Sequence, residues 1–76
     1  MVAHPQQSSD RVLLSLRLRD DSELRVGLST YRGIEWVDIR QFWVRGPDDI
    51  VATKKGVHFN AELLPEIIAA LTKVVE

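Results

Sequence analysis

The chain has 76 residues, a net charge of -1 and no cysteine. This length allows one domain with a small core, and the lack of cysteine excludes a disulfide framework or a thiolate zinc site. Self-association is the remaining common way to stabilise so small a domain. No apolar run approaches the roughly 18 residues of a membrane span, and the first residues lack the pattern of a secretory signal, so we expect a cytoplasmic protein.

The first ten residues, MVAHPQQSSD, are polar and show no periodicity. This composition predicts a disordered tail over residues 1–10, ahead of a single domain over residues 11–76. His4 stands alone in the tail. Because a metal site needs several convergent ligands, we predict no metal there.

Two stretches of alternating polar and apolar residues follow, a pattern typical of strands with one apolar face. In residues 11–19 the apolar side carries Leu14, Leu16 and Leu18. In residues 23–31 it carries Leu24, Val26 and Leu28. Asp20-Asp21-Ser22 between them favours a turn, so the sequence predicts a hairpin.

A third strand is predicted over residues 34–45, after an Arg32-Gly33 turn that uses the freedom of glycine to adopt positive φ. Its alternation holds up to Arg40 and then fails, because Phe42, Trp43 and Val44 put large apolar groups on both sides. At least one aromatic ring must therefore be covered by something other than this sheet, either another subunit or a nucleic-acid base. Strict alternation also places Arg40 and Trp43 on opposite faces of the strand. The two side chains can therefore contact the same ligand only if a bulge, a strong twist or a strand end lies between them.

Gly46-Pro47-Asp48-Asp49 is the strongest loop signal in the chain. Residues 50–59 then predict a short β-rich start, a turn over residues 53–56 and a last short strand. The sequence thus predicts four to five antiparallel strands.

From Asn60 the apolar period becomes that of a helix, with Asn60 as N-cap. Pro65 indicates that the helix starts later or opens with a tight turn. The apolar stripe contains Leu64, Ile67, Ile68, Leu71, Val74 and Val75. It is wider than one side of a small sheet hides, which indicates packing both on the chain's own sheet and on a neighbouring subunit. The predicted fold class is α+β, a sheet followed by one C-terminal helix.

Candidates for catalysis are few. Asp48 and Asp49 follow a Gly-Pro pair, where adjacent acids are typical of a solvated turn. His58 points away from the face shared by Val57 and Phe59, which favours an edge residue over a general base. No strand, glycine loop and helix are arranged to hold phosphate. We therefore predict no enzyme, no cofactor and no small-molecule substrate.

Aromatic and basic residues in the antiparallel part favour a binding surface, because single-stranded nucleic acid is held by cations along its phosphates and by rings that stack on its bases. Between residues 25 and 55 there are six Lys or Arg against four Asp or Glu, although the whole chain is slightly acidic. The candidate residues are Tyr31, Arg32, Arg40, Trp43, Lys54 and Lys55. The alternative is that the rings are core or interface aromatics and the cations are solvated.

A longer pattern combines Tyr31-Arg32-Gly33, Asp38-Ile39-Arg40, Phe42-Trp43 and Lys54-Lys55-Gly56 with a helix opened by Asn60. From about residue 25 to 75 it resembles the Positive Cofactor Four family of transcriptional coactivators, in its bacterial or phage form. The resemblance implies a curved four-stranded antiparallel sheet followed by a helix, a homodimer joined largely through the helices, and single-stranded DNA binding.

The resemblance also implies roles for single residues. Tyr31 looks like the family's stacking aromatic with Arg32 beside it, Arg40 and Trp43 like the nucleic-acid-facing pair of the central strand, and Lys54 and Lys55 like its basic pair. Ile34 and Thr53 depart from the lysine and glycine that many members carry. We therefore expect a single-stranded DNA-binding transcriptional regulator of low sequence specificity, with RNA as an alternative ligand, associated with the nucleoid if bacterial.

A rival interpretation is a protein–protein interaction module without nucleic-acid binding. The net charge of -1 favours it. In that case the helix stripe and the exposed rings would dock a partner protein.

Overall fold

Four strands and one helix make up the computed structural model, which describes residues 11–76 and confirms the predicted α+β fold. The elements are β1 (Arg11–Arg19), β2 (Ser22–Tyr31), β3 (Ile34–Gly46), β4 (Asp49–Asn60), a 3₁₀ turn (Ala61–Leu63) and α1 (Leu64–Val75). The strands form one curved antiparallel sheet in the order β1-β2-β3-β4. The tail predicted over residues 1–10, with His4, lies outside the described residues.

Tight hairpins fix the register of the sheet. Tyr31 pairs with Ile34, which leaves Arg32 and Gly33 as a two-residue loop with φ of 54° and 78°. Positive φ at both positions is what a type I′ turn requires, and its twist matches that of the flanking strands. At the next connection Gly46 pairs with Asp49, so Pro47 and Asp48 form the loop.

The turn predicted over residues 53–56 is wrong, because β4 runs through it as one strand with a bulge. Between the pair Arg40–Gly56 and the pair Phe42–Ala52, β3 advances two residues and β4 advances four. The hydroxyl of Thr53 donates to the carbonyl oxygen of Gln41 at 2.7 Å, which keeps the bulged segment attached to β3. Residues 53–56, which have the composition of a turn, therefore belong to a bulge within β4.

The two sides of the sheet differ in chemistry. Cross-strand pairing puts one set on the apolar face: Leu16, Leu24, Val26, Leu28, Val37, Ile39, Val57 and Phe59. It puts another set on the polar face: Glu23, Arg25, Asp38, Arg40, Phe42 and His58. Glu23, Asp38 and Phe42 are buried although residues 11–76 form only one sheet. Arginine side chains of the same face lie against all three: Arg25 contacts Phe42 and Glu23, and Arg40 contacts Asp38.

A bulge in β1 changes the predicted facing of Arg19. Strict alternation would place Arg19 beside Arg17, but the register shifts between these residues. Arg17 pairs with Glu23 on the polar face, whereas Arg19 pairs with Ser22, which lies on the apolar side opposite Trp43. The bulge therefore brings a cation to the end of the apolar face.

The start of the helix agrees with the prediction. The side chain of Asn60 accepts a hydrogen bond from the backbone N–H of Glu62 at 2.8 Å, a 3₁₀ turn follows, and Pro65 lies in the first turn of α1. Proline is tolerated there because its missing N–H would have no intrahelical partner.

The expected packing of the helix on its own sheet is not observed. No residue of α1 is buried, and only Leu64 and Ile67 are half-buried. Ile68, Leu71, Val74 and Val75 are exposed. A single chain thus leaves the helix stripe uncovered, and that apolar surface is available to another chain. Over residues 11–76, no helix combines the length and the apolar character needed to cross a membrane.

Candidate nucleic-acid interface

Tyr31 and Arg32 form an aromatic–cation pair at the hairpin between β2 and β3. The Tyr31 side chain is 51% exposed. The Arg32 guanidinium carbon lies 5.4 Å from the centre of the Tyr31 ring, within the range of a cation–π contact. The positive φ of Arg32 turns the chain so that these neighbours meet. The pair supplies a ring face and a positive charge at one position.

Trp43 forms a second aromatic–cation pair at the far end of β3. It is 49% exposed, and the guanidinium carbon of Arg45 lies 5.3 Å from its ring centre. Arg45 is held in turn by Asp49, with Nε–Oδ2 and Nη2–Oδ1 distances of 3.0 Å. The Asp49 carboxylate thus holds the Arg45 guanidinium, and this guanidinium lies over one side of the Trp43 ring and orients it.

Phe42 is buried, unlike its neighbour Trp43. It is 8% exposed and lies on the polar face, where the guanidinium carbon of Arg25 is 4.7 Å from its ring centre. Glu23 binds that guanidinium from the same strand. Of the adjacent aromatic residues, Phe42 is thus covered within the chain, and Trp43 is the ring left to solvent.

Arg40 is held by three hydrogen bonds. Its Nε and Nη2 donate to the carboxylate of Asp38 at 3.3 and 3.0 Å, and its Nη1 donates to the carbonyl oxygen of Thr53 at 2.8 Å. Its side chain is 11% exposed and that of Asp38 is 8% exposed. The charge of Arg40 is therefore balanced locally, and its fork joins β3 to the bulge of β4.

Lys54 and Lys55 lie in that bulge, and both are exposed. The Thr53 hydroxyl accepts a hydrogen bond from the backbone N–H of Lys55 at 3.1 Å. Gly56 closes the bulge where β4 approaches β3 closely, since a Cβ there would lie 2.6 Å from the carbonyl oxygen of Ile39. The basic pair is thus displayed on a segment braced by Thr53, Arg40 and Gly56.

The predicted residues do not form one continuous patch in a single chain. Pairing of β2 with β3 is regular from Ile34 to Trp43, so Arg40 and Trp43 stay on opposite faces. The bulge near Arg40 adds its extra residues to β4 and leaves the alternation of β3 unchanged. Tyr31 pairs at the start of β3 and Trp43 lies nine residues further on, roughly 30 Å away along the strand. Two aromatic–cation pairs therefore lie at opposite ends and on opposite faces of the sheet, and the basic bulge of β4 is nearer to Trp43.

Sequence reasoning left Arg45 out of the candidate residues, and it offered Arg17 and Arg19 only as an extension of the basic surface, with edge charges as the simpler explanation. A signal for Arg45 was present, because residues two apart on a strand share a face, and Trp43 and Arg45 have this spacing. Alternation along residues 11–19 predicts that Arg19 shares a face with Arg17, and this is wrong because a bulge between them turns Arg19 to the other face. Within residues 11–76, no group of three or more His, Asp or Glu residues is arranged to hold a metal ion.

Comparison with known proteins agrees with this architecture. The family model described as Transcriptional Coactivator p15 (PC4) matches residues 18–70, which is more than half of the chain. No curated protein shows a significant match.

Solved structures give the same picture. A crystal structure of a PC4 homologue from Burkholderia pseudomallei matches with 26% identity and a TM-score of 0.76, covering 90% of this chain and 92% of that one. A second crystal form of that protein matches with a TM-score of 0.74, also at 26% identity, covering 87% and 97%. A bacteriophage T5 homologue of PC4, implicated in recombination-dependent DNA replication, shares the fold at 22% identity with a TM-score of 0.69, covering 86% and 75%. The chain therefore belongs to the Transcriptional Coactivator p15 (PC4) family.

Proposed function

We propose that this protein is a homodimeric single-stranded DNA-binding protein that acts as a transcriptional regulator. The observation that carries the proposal is the pair of half-exposed rings, Tyr31 and Trp43, each with an arginine against it. Exposed rings flanked by cations suit unpaired bases, because a base stacks on the ring while its phosphates meet the charge. Family membership supports the regulatory role.

The roles of the residues follow from their surroundings. Tyr31 and Trp43 stack on bases, and Arg32, Lys54 and Lys55 neutralise phosphates. Stacking and phosphate contacts depend little on base identity, so overall sequence specificity is low. Binding needs no cofactor and no catalytic step. The proposal places the protein in the cytoplasm, at the nucleoid if its source is bacterial.

Arg40 contributes oriented hydrogen-bond donors to DNA binding more than it contributes net positive charge. Arginine has five N–H donors, and three of them are engaged by Asp38 and Thr53. The two others remain for a phosphate or base oxygen, from a guanidinium already fixed in orientation. Because Asp38 balances its charge, Arg40 adds less to the salt dependence of binding than Lys54 or Lys55 does.

Dimerisation through α1 is part of the proposal. The apolar stripe of the helix is exposed in the single chain, and one small sheet provides a limited core. Pairing of two helices would bury this stripe and stabilise both chains.

The test is a fluorescence-anisotropy titration of the protein with labelled single-stranded DNA over a range of salt concentrations. We expect binding that weakens steeply as salt rises and that exceeds the affinity for blunt duplex of the same length. Trp43→Ala should weaken binding while leaving the dimer folded. The control is Val12→Ala, which shortens an exposed apolar side chain on a different strand, β1. Equal affinity for single strand and duplex, or binding indifferent to salt, would count against the proposal.

The exposed apolar surface also supports a second candidate, a module that docks a partner protein. Five apolar residues of β1 are exposed in addition to the helix stripe: Val12, Leu13, Leu14, Leu16 and Leu18. Under this alternative the protein binds no oligonucleotide and forms a stable complex with a specific protein. The same titration, combined with affinity purification of bound proteins, separates the two.

A further inference from the structure

An open cavity of about 620 Å³ lies beside Trp43 at the end of the sheet farthest from Tyr31. Its lining combines one exposed ring, cations and small polar groups. The lining residues are Leu18, Arg19, Asp21, Ser22, Gln41, Phe42, Trp43, Thr53 and Lys55. Its volume lies within the range of sites that hold small organic ligands.

The strand register explains why several of these side chains share one face. Ser22 pairs with Trp43, and Gln41 is two residues from Trp43 on β3. The bulge in β1 places Arg19 opposite Ser22. Arg19, Gln41 and Trp43 are therefore on the same side of the sheet, although they come from two non-adjacent strands.

The lining has unused capacity to bind charge and polar groups. Within residues 11–76, neither the Arg19 guanidinium nor the Lys55 ammonium has a hydrogen-bond or ion-pair partner, and the Gln41 side-chain amide has none either. Two cations against the single carboxylate of Asp21 leave the cavity positive. An anionic ligand with a flat ring and hydrogen-bonding edges matches this combination.

We propose that this cavity is a single-nucleotide subsite in which Gln41 reads the edge of the base stacked on Trp43. Arg19 and Lys55 hold the phosphates on either side of that nucleotide. Arg45 lies over the Trp43 ring but does not line the cavity, so we assign the base to the part of the ring that lines it. The inference rests on the proposed function and adds to it a phosphate contact from β1 and a modest base preference at one position.

The Gln41 amide can provide that preference because it presents a donor and an acceptor side by side. Unpaired bases expose edges whose donor and acceptor patterns differ, and an amide matches some patterns better than others. The rest of the bound strand is held by stacking and charge. The preference is therefore confined to one nucleotide of the site.

The phosphate contact is tested by charge removal at two positions of β1. Arg19→Gln should reduce the slope of log affinity against log salt by about 0.7 for single-stranded DNA, as expected for one lost phosphate contact. Arg11→Gln is the matched control, because Arg11 has the same charge on the same strand but pairs with Leu28 at its other end. Equal salt slopes for the two variants would overturn the assignment of Arg19.

The base contact is tested with oligo-dA, oligo-dC and oligo-dT of equal length. The wild-type protein should separate the best from the worst by about fivefold or more. Gln41→Leu should remove most of that difference while retaining salt-dependent binding. Undiminished discrimination by Gln41→Leu, or none by the wild type, would overturn the assignment of Gln41. If the wild type binds no oligonucleotide, the proposed function itself fails, which differs from either of these results.

Discussion

Gly56 is required by packing between strands. A Cβ at this position would lie 2.6 Å from the carbonyl oxygen of Ile39 and 2.9 Å from the Cα of Arg40, so β3 and β4 would have to separate. We predict that Gly56→Ala lowers the free energy of unfolding by about 1–3 kcal/mol, the usual cost of an enforced clash.

Chemical denaturation of Gly56→Ala beside Gly46→Ala measures this effect. At Gly46 a Cβ would meet only the Cβ of Asp49, at 3.9 Å, which is an ordinary contact. The Gly46 variant should therefore stay within about 0.5 kcal/mol of the wild type. Equal stability of the two variants would show that the close approach at Gly56 is relieved without cost.

A second prediction for single residues concerns the ion pair between Asp38 and Arg40. Both side chains are largely buried, and two N–H groups of Arg40 donate to the Asp38 carboxylate. Asp38→Asn should lower the free energy of unfolding by about 1.5–3 kcal/mol, because it weakens hydrogen bonds to a charged group that water does not replace.

The Arg45–Asp49 pair provides the comparison. Its side chains are 46% and 52% exposed, so water and salt screen the interaction. Asp49→Asn should cost less than about 1 kcal/mol in the same denaturation experiment. If Asp49→Asn proves as damaging as Asp38→Asn, burial does not set the strength of these pairs.

At the scale of elements, the exposed stripe of α1 has the clearest consequence. Leu71 lies in the middle of the stripe and is exposed in the single chain. Leu71→Glu should convert the proposed dimer to monomers at micromolar concentration, because a carboxylate would have to be buried between helices. Analytical ultracentrifugation measures the change.

Lys73→Glu is a stringent control for this prediction. Lys73 is two residues from Leu71 and so lies on the other side of the helix, and its replacement changes the charge by more than Leu71→Glu does. It should leave the dimer intact. A wild-type protein that sediments as a monomer, or a Leu71→Glu variant that stays dimeric, would exclude the helix as the interface.

Periodicity predicted the elements well where local pattern determines them. The bounds of β1 agree fully, and the capped, delayed start of α1 follows from Asn60 and Pro65. The continuity of β4 was not predicted, because residues 53–56 have the composition of a turn. What keeps them in the strand is tertiary: the bonds of Thr53 and Arg40 and the close approach at Gly56.

At the scale of the whole molecule, the sequence predicted which residues are exposed better than where they lie relative to one another. Trp43 and the two lysines are exposed, as a binding role needs. The separation of Tyr31 from Trp43 and the facing of Arg19 depend on register and bulges, which a residue pattern does not encode. The alternation rule did foresee that Arg40 and Trp43 would face opposite ways.

The central claim is that an unpaired base stacks on Trp43, and tryptophan emission tests it most directly. The chain has two tryptophans, and Trp36 stacks on His58 with ring centres 5.1 Å apart. Trp36→Phe leaves Trp43 as the sole reporter, and Trp43→Phe leaves Trp36 as the control. Titration with single-stranded DNA should quench the emission of the Trp36→Phe variant and leave that of the Trp43→Phe variant nearly unchanged. Unchanged Trp43 emission while anisotropy records a bound oligonucleotide would contradict the account.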